Sequence, residues 1–194
     1  MPDRRSARDR MLASATAVLA QAGAGGVTID RVLSDSGAPR GSVYHHFPGG
    51  RNEIITRAGQ SASEEAIGHY RELAADHDGA GFLDALTDGW KRYLTGHDFR
   101  QGCPILALAV DDLTAIPDLD RDVADTFVTW RTIIARVLER DSVPAPRSGP
   151  LATLIITAVE GAVAMCRSTR TTGPLDDITA ELRAVIGDAV RRPG

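Results

Sequence analysis

Arg40, Ser42, Tyr44, His45 and His46 crowd cationic and hydrogen-bonding side chains into one short stretch, beside the slender backbone of Gly41. An arginine suits a phosphate or a guanine edge, serine and histidine can bond to bases, and a tyrosine hydroxyl reaches phosphate. The chemistry this set points to is nucleic acid recognition. Enzyme chemistry finds little support: there is no Gly-x-Ser-x-Gly elbow, no phosphate loop and no dinucleotide fingerprint. His45 and His46 are adjacent, so on a helix they face different ways and make poor joint metal ligands. His69, His77 and His97 are scattered singly, too far apart to share a metal without other ligands. The chain is therefore expected to be no enzyme and to need no metal or cofactor.

The elements that must position these groups can be read from local chemistry. Thr28 is a plausible N-cap, because its hydroxyl can accept from a free first-turn N–H. Ile29, Val32 and Leu33 follow at helical spacing. Gly37 tolerates the left-handed conformation that ends a helix, and Pro39 suits the first position of the next, where no N–H is needed. Val43 and Phe47 are four apart and point to a small core, leaving the polar set on the opposite face. Two helices so tightly joined make a helix-turn-helix, whose second helix can enter a major groove. An ordinary helical hairpin would show the same two-helix pattern, but the flanks argue for the former. Arg4, Arg5, Arg8 and Arg10 form a basic cluster, and a helix carrying Met11, Leu12, Ala15, Leu19 and Ala22 follows and stops at Gly23, Gly25 and Gly26. Residues 1–57 hold eight arginines against five acidic residues, whereas residues 58–194 hold 14 basic against 21 acidic ones. A basic end on an acidic body is what a DNA-binding head on a body of another kind should show.

The segment from Thr28 to Phe47 resembles the DNA-binding head of TetR-family transcriptional regulators. Thr28, Ile29, Val32, Gly37, Gly41, Tyr44, His46 and Phe47 fall where that family's pattern has them, over about the first 58 residues. Two departures are visible. Pro39 stands where the family often opens the recognition helix with Ser or Thr. Phe47 is followed by Pro48-Gly49-Gly50 and then Arg51, one residue longer than the usual form and with Arg in place of Lys. That Phe-Pro-Gly-Gly continuation resembles the LmrA/YxaF-like subset, as does Gly102-Cys103-Pro104 in the body. The resemblance implies that Thr28, Arg40, Gly41, Ser42, Tyr44, His45 and His46 meet DNA, with Arg51 on phosphate. It implies an all-α fold: a three-helix head over residues 1–50, and a larger helical ligand-binding and dimerisation body over residues 51–194.

The rest of the chain reads as a run of helices. Expected spans are Asn52 to about Asp76, Phe82–Leu94, Pro104 to about Asp111, Pro117–Arg140, Pro150–Arg170 and Leu175–Val190, with Ser142-Val143-Pro144-Ala145-Pro146 and the residues up to Pro150 as the clearest loop. Leu154, Ile155, Ala158, Ala162 and Met165, then Leu175, Ile178, Leu182, Val185 and Ile186, form stripes that suit a four-helix dimer interface; burial inside one subunit would use the same spacing. The resemblance implies a ligand chamber in the body, for which Trp90, Tyr93, Phe127 and Trp130, with Cys103, Leu106 and the isolated charge Glu160, are the candidate contacts of a small apolar or amphipathic effector, although ordinary core is the better reading of each aromatic taken singly. Cys103 before a helix start permits a thiol sensor, yet a small buried residue there is the plainer reading. No apolar run is long enough to span a membrane, no secretory signal is visible, and two distant cysteines fit a reducing cytoplasm. The reading is a cytoplasmic homodimeric repressor of a near-palindromic double-stranded DNA operator, released by an inducer. Its competitor is an all-helical small-molecule-binding protein or enzyme without specific DNA binding.

Overall fold

Ser6 opens the first helix by accepting from Asp9 N at 3.1 Å while its hydroxyl donates to the Asp9 carboxylate at 2.7 Å. The computed structural model of the protein describes residues 6–191, so Arg4 and Arg5 lie outside the described residues. In chain order the helices are α1 (Ala7–Ala22), α2 (Ile29–Ser36), α3 (Val43–His46), α4 (Gly50–Asp76), α5 (Gly79–Gly96), α6 (Pro104–Ala109), α7 (Pro117–Arg140), α8 (Ala145–Thr169) and α9 (Gly173–Arg191), with 3-10 turns at Ala24–Gly26 and Arg40–Ser42. No strand occurs among the described residues, as the all-α reading requires.

Two compact units form. The first gathers the chain up to Glu65 with Cys103–Ala124; the second holds Ala66–Gly102 and the chain from Asp125 onward. The divisions fall inside α4, between α5 and α6, and inside α7. In the first unit α1 packs on α2 and on α6. Met11, Leu19, Val32, Val43, Phe47, Ile54 and Ile55 are buried there, with Ile105, Leu108 and Leu119. In the second, α8 and α5 both pack on α9. Phe82, Leu86, Trp130, Ile134, Ile155, Val159, Leu182 and Ile186 are buried in it. Lys91, the chain's single lysine, donates to Asp176 at 2.6 Å and Asp88 at 3.2 Å, and the bond to Asp176 holds its ammonium above the ordinary lysine range.

Several element ends differ from expectation for local reasons. The second helix of the hairpin does not begin at Pro39. That residue is extended (φ −61°, ψ 137°), a 3-10 turn follows, and α3 proper spans four residues. No side chain caps α3, and Ser42 Oγ instead donates back to Pro39 O at 2.6 Å. The expected loop before Pro150 is largely helical. Pro144 takes an extended cap conformation, Pro146 sits in the first turn where an N–H is not needed, and α8 continues through Pro150. The break at Gly79 is very short, because Asp78 accepts from Gly81 N at 2.7 Å and restarts the chain as α5. By length and mean hydropathy (1.6) α8 alone among the described helices could cross a membrane, yet half of that stretch is buried inside the fold.

The apolar stripes of the last two helices also resolve. Ile155 and Ala162 are buried within the subunit, as are Leu175, Leu182 and Ile186, so these residues serve its own core. Leu154 (45 % exposed) and Met165 (58 %) lie on the opposite side of α8, whose exposed residues from Leu154 to Met165 carry no charge.

Candidate nucleic-acid interface

The polar stretch is held up by two anchors. Val43 and Phe47 are fully buried, and the Arg8 guanidinium lies over the Phe47 ring, 5.6 Å from its centre. Because the anchors are four apart, the residues between them must turn outward. Tyr44 is 63 % exposed, His45 is exposed, and His46 is half-buried with its ring edge-on to His45 at 4.9 Å. Gly41 is exposed with open space where a Cβ would stand, so backbone can approach a ligand closely there. Gly37 ends α2 at φ 61°, ψ 20°, the left-handed cap the sequence predicts.

Thr28 caps α2, accepting from Arg31 N at 3.2 Å, and is exposed, so its O–H can still donate outward. Arg40 is paired with Asp30 of α2's first turn, both side chains being about three-quarters exposed. An exposed pair of this kind is weak, and a phosphate can displace the carboxylate. Asp30 was invisible as a partner from the sequence, since ten residues and a turn separate the two. Arg51 has an internal task that the sequence did not signal. Its Nε donates to Val27 O at 2.7 Å and its Nη2 to Ala24 O at 2.6 Å, tying the start of α4 to the α1–α2 turn.

The candidate effector residues divide between the units. Cys103 and Leu106 belong to the first; Trp90, Tyr93, Phe127, Trp130 and Glu160 belong to the second. Trp130 is 1 % exposed and stacks on Tyr70 with ring centres 4.8 Å apart, while Phe127 meets it edge-on at 5.3 Å and Phe82 meets Tyr70 edge-on at 5.7 Å. The Trp130 indole N–H is buried with no acceptor among the described residues. Tyr70 and Phe82 are additions the sequence reading missed; both sit on regular apolar helix positions that nothing local distinguishes from core. Trp90 and Tyr93 pack edge-on at 5.6 Å, and Tyr93 donates to Gln101 Oε1 at 2.7 Å. Glu160 is buried on α8. Cys166, on the same helix, has its thiol pushed up by burial, which keeps it protonated at neutral pH.

Gly102-Cys103-Pro104 now has a physical account. Cys103 Sγ accepts from Leu106 N at 3.4 Å and caps α6, with Pro104 in the first turn. A Cβ at Gly102 would stand 2.8 Å from Arg167 Cδ, and Arg167 Nη2 donates to Arg100 O at 3.0 Å. Gly102→Ala should push Arg167 aside and break that bond. The expected cost of about 1 kcal/mol would lower the midpoint of thermal unfolding by about 2–4 °C, measurable by calorimetry. Nearby, the Arg170 guanidinium bonded to Asp98 at 2.6 Å holds that carboxyl below the usual range, with Arg100 assisting.

Residues 11–58 match the model of bacterial regulatory proteins of the tetR family, and residues 80–181 match the transcriptional regulator LmrA/YxaF-like C-terminal domain. An uncharacterised HTH-type transcriptional regulator of Mycobacterium tuberculosis is 35 % identical over 184 residues, covering 92 % of this chain and 93 % of that one. The chain belongs to the TetR family of transcriptional regulators. Within the TetR family its body is of the LmrA/YxaF-like kind. The HTH-type transcriptional regulator LmrA of Bacillus subtilis is 23 % identical, over 89 % of this chain and 93 % of that one. A TetR transcriptional regulator from Chloroflexus aurantiacus superposes with a TM-score of 0.77 at 26 % identity, covering 93 % and 94 % of the two chains. As a TetR-family member the protein is a regulator and not an enzyme.

Proposed function

We propose that this regulator is a repressor that binds a near-palindromic double-stranded DNA operator as a homodimer and is released by a small apolar or amphipathic inducer. The observation that carries the reading is the outward face of α3. Tyr44 and His45 stand exposed on a short element pinned by the buried Val43 and Phe47, with the half-buried His46 beside them, the exposed Arg40 on the 3-10 turn before it, and Thr28, Gly41 and Ser42 nearby. Arg51 would add a phosphate contact through whatever donors its two carbonyl bonds leave. Such a module reads a few base pairs, and two copies related by a twofold axis read a near-palindrome.

The second copy is accommodated by the outer side of α8. Leu154, Thr157, Ala158, Gly161, Ala164 and Met165 form an uncharged and mostly small face, along which a partner helix can approach closely. The aromatic group of Trp130, Phe127, Tyr70 and Phe82 is the best supported contact set for the inducer. It offers rings and a buried N–H lacking an acceptor among the described residues. Trp90, Tyr93, Leu106, Cys103 and Glu160 are secondary candidates. The capping bond of Cys103 supports a structural role for that thiol rather than a sensor. A cytoplasmic location follows from DNA as the partner.

Gly161→Arg tests the assembly. Gly161 is exposed and a Cβ there meets nothing within 4 Å among the described residues, so an arginine can point outward without entering the subunit's own core. Sedimentation should show two 20.6 kDa chains for the wild type and one for the variant. Affinity for a specific duplex should drop at least about tenfold in the variant. A monomeric wild type that binds all duplexes alike would favour the non-specific alternative.

A further inference from the structure

The glycine-rich turn between α1 and α2 is gripped from two sides by side chains far away in sequence. Asp111, just after α6, places Oδ2 2.7 Å from Ala24 N and 3.3 Å from Gly25 N. Arg51 takes Ala24 O and Val27 O from the other side. Ala24 is therefore held at both its N–H and its C=O. Gly23 is shaped for this grip: its φ is +66°, and a Cβ there would stand 2.8 Å from Asp111 Oδ2. The carboxylate is itself carried on a fixed turn. Asp111 Oδ1 accepts from Asp112 N at 3.0 Å, and Asp112 Oδ1 accepts from Thr114 N at 3.0 Å and Thr114 Oγ1 at 2.6 Å.

We propose that Asp111 is a positioning residue for operator binding, its carboxylate setting the α1–α2 turn and through it the placement of α2 and the α3 reading face. This rests on the reading of the chain as a sequence-specific DNA-binding protein. Glycine-rich backbone has the widest conformational freedom, and the turn's exit leads within two residues to Thr28, which caps α2. Bonds from backbone N–H groups to an ionised carboxylate are the stronger kind, so they can select one conformation of such a turn. A reading face must be held to within a fraction of an ångström to bond to base edges. The sign of the effect separates positioning from charge. Asp111 is anionic, so removing it on electrostatic grounds alone would strengthen attraction to DNA. Removing a positioning residue weakens specific binding instead.

The test uses the full chain, a duplex enriched by the wild type from a random-sequence pool, and an unselected duplex of equal length. Asp111→Ala should lose about tenfold in affinity for the enriched duplex by fluorescence anisotropy. Its affinity for the unselected duplex should hold or rise slightly, because one acidic charge has been removed. Amides 24 and 25 should exchange faster in deuterium, with the helices of the second unit unaffected. Asp111→Asn keeps an acceptor oxygen in place and should recover part of the loss. Equal or tighter binding of the enriched duplex by Asp111→Ala overturns the inference, as does a parallel loss on both duplexes. A wild type that enriches no duplex overturns the DNA-binding reading itself, and the inference with it.

Discussion

Trp130→Ala is expected to destabilise the protein by about 3–5 kcal/mol, the range for emptying a large aromatic site in a packed core. The ring is 1 % exposed, stacked on Tyr70 and met edge-on by Phe127, so little around it can collapse into the gap. For a chain of this size the unfolding midpoint should fall by roughly 6–20 °C. Calorimetry checks this, and a shift under about 2 °C would show that the aromatic group is not the packed centre it looks to be. The substitution therefore cannot isolate a ligand contact, since loss of inducer response and loss of packing would arrive together. Trp130→Phe is the sharper variant for that purpose. It keeps a ring against Tyr70 and removes an N–H that has no acceptor among the described residues, so no bond inside the described protein is lost with it.

Tyr44→Ala should do the reverse: a small change in stability and a large change in DNA affinity. The side chain is 63 % exposed, and surface truncations of this kind usually cost under about 0.5 kcal/mol. Loss of a base or phosphate contact in each half-site should lower affinity for a specific duplex by at least about tenfold. Anisotropy titrations of wild type and variant against one labelled duplex measure it. Unchanged affinity would remove Tyr44 from the interface and leave Arg40 and His45 to carry the reading face.

Much of the head was legible because its signals are local. A threonine three residues before the N–H it caps, a glycine at the left-handed end of α2, and two apolar residues four apart each announce their roles within one helical turn. The start of α3 was less legible. Proline, arginine, glycine and serine in succession allow either an α-helical first turn or a 3-10 turn; the chain forms the latter, with Ser42 N and Ser42 Oγ both donating back to Pro39 O. The outward face of α8 was left open for a similar reason. Where nearly every residue between Leu151 and Cys166 is apolar or small, periodicity cannot say which side meets α9 and which meets solvent. Contacts across long separations left no trace at all. Asp111 reaches Ala24 over 87 residues, and no spacing rule links an aspartate after a short helix to a glycine turn near the N-terminus. Arg51 illustrates the middle case: its place at the start of α4 was readable, but its two carbonyl partners depend on how the turn folds back.

The central claim is that two copies of the α3 face read a symmetrical DNA sequence. Selection from a pool of random duplexes by the full-length wild-type protein, followed by sequencing of the bound fraction, tests it most directly. The bound fraction should be enriched in a near-palindrome whose half-sites lie about one helical turn apart or a multiple of it, with binding that weakens steeply as salt rises. A bound fraction with no enriched sequence, or with an enriched sequence lacking twofold symmetry, would contradict it.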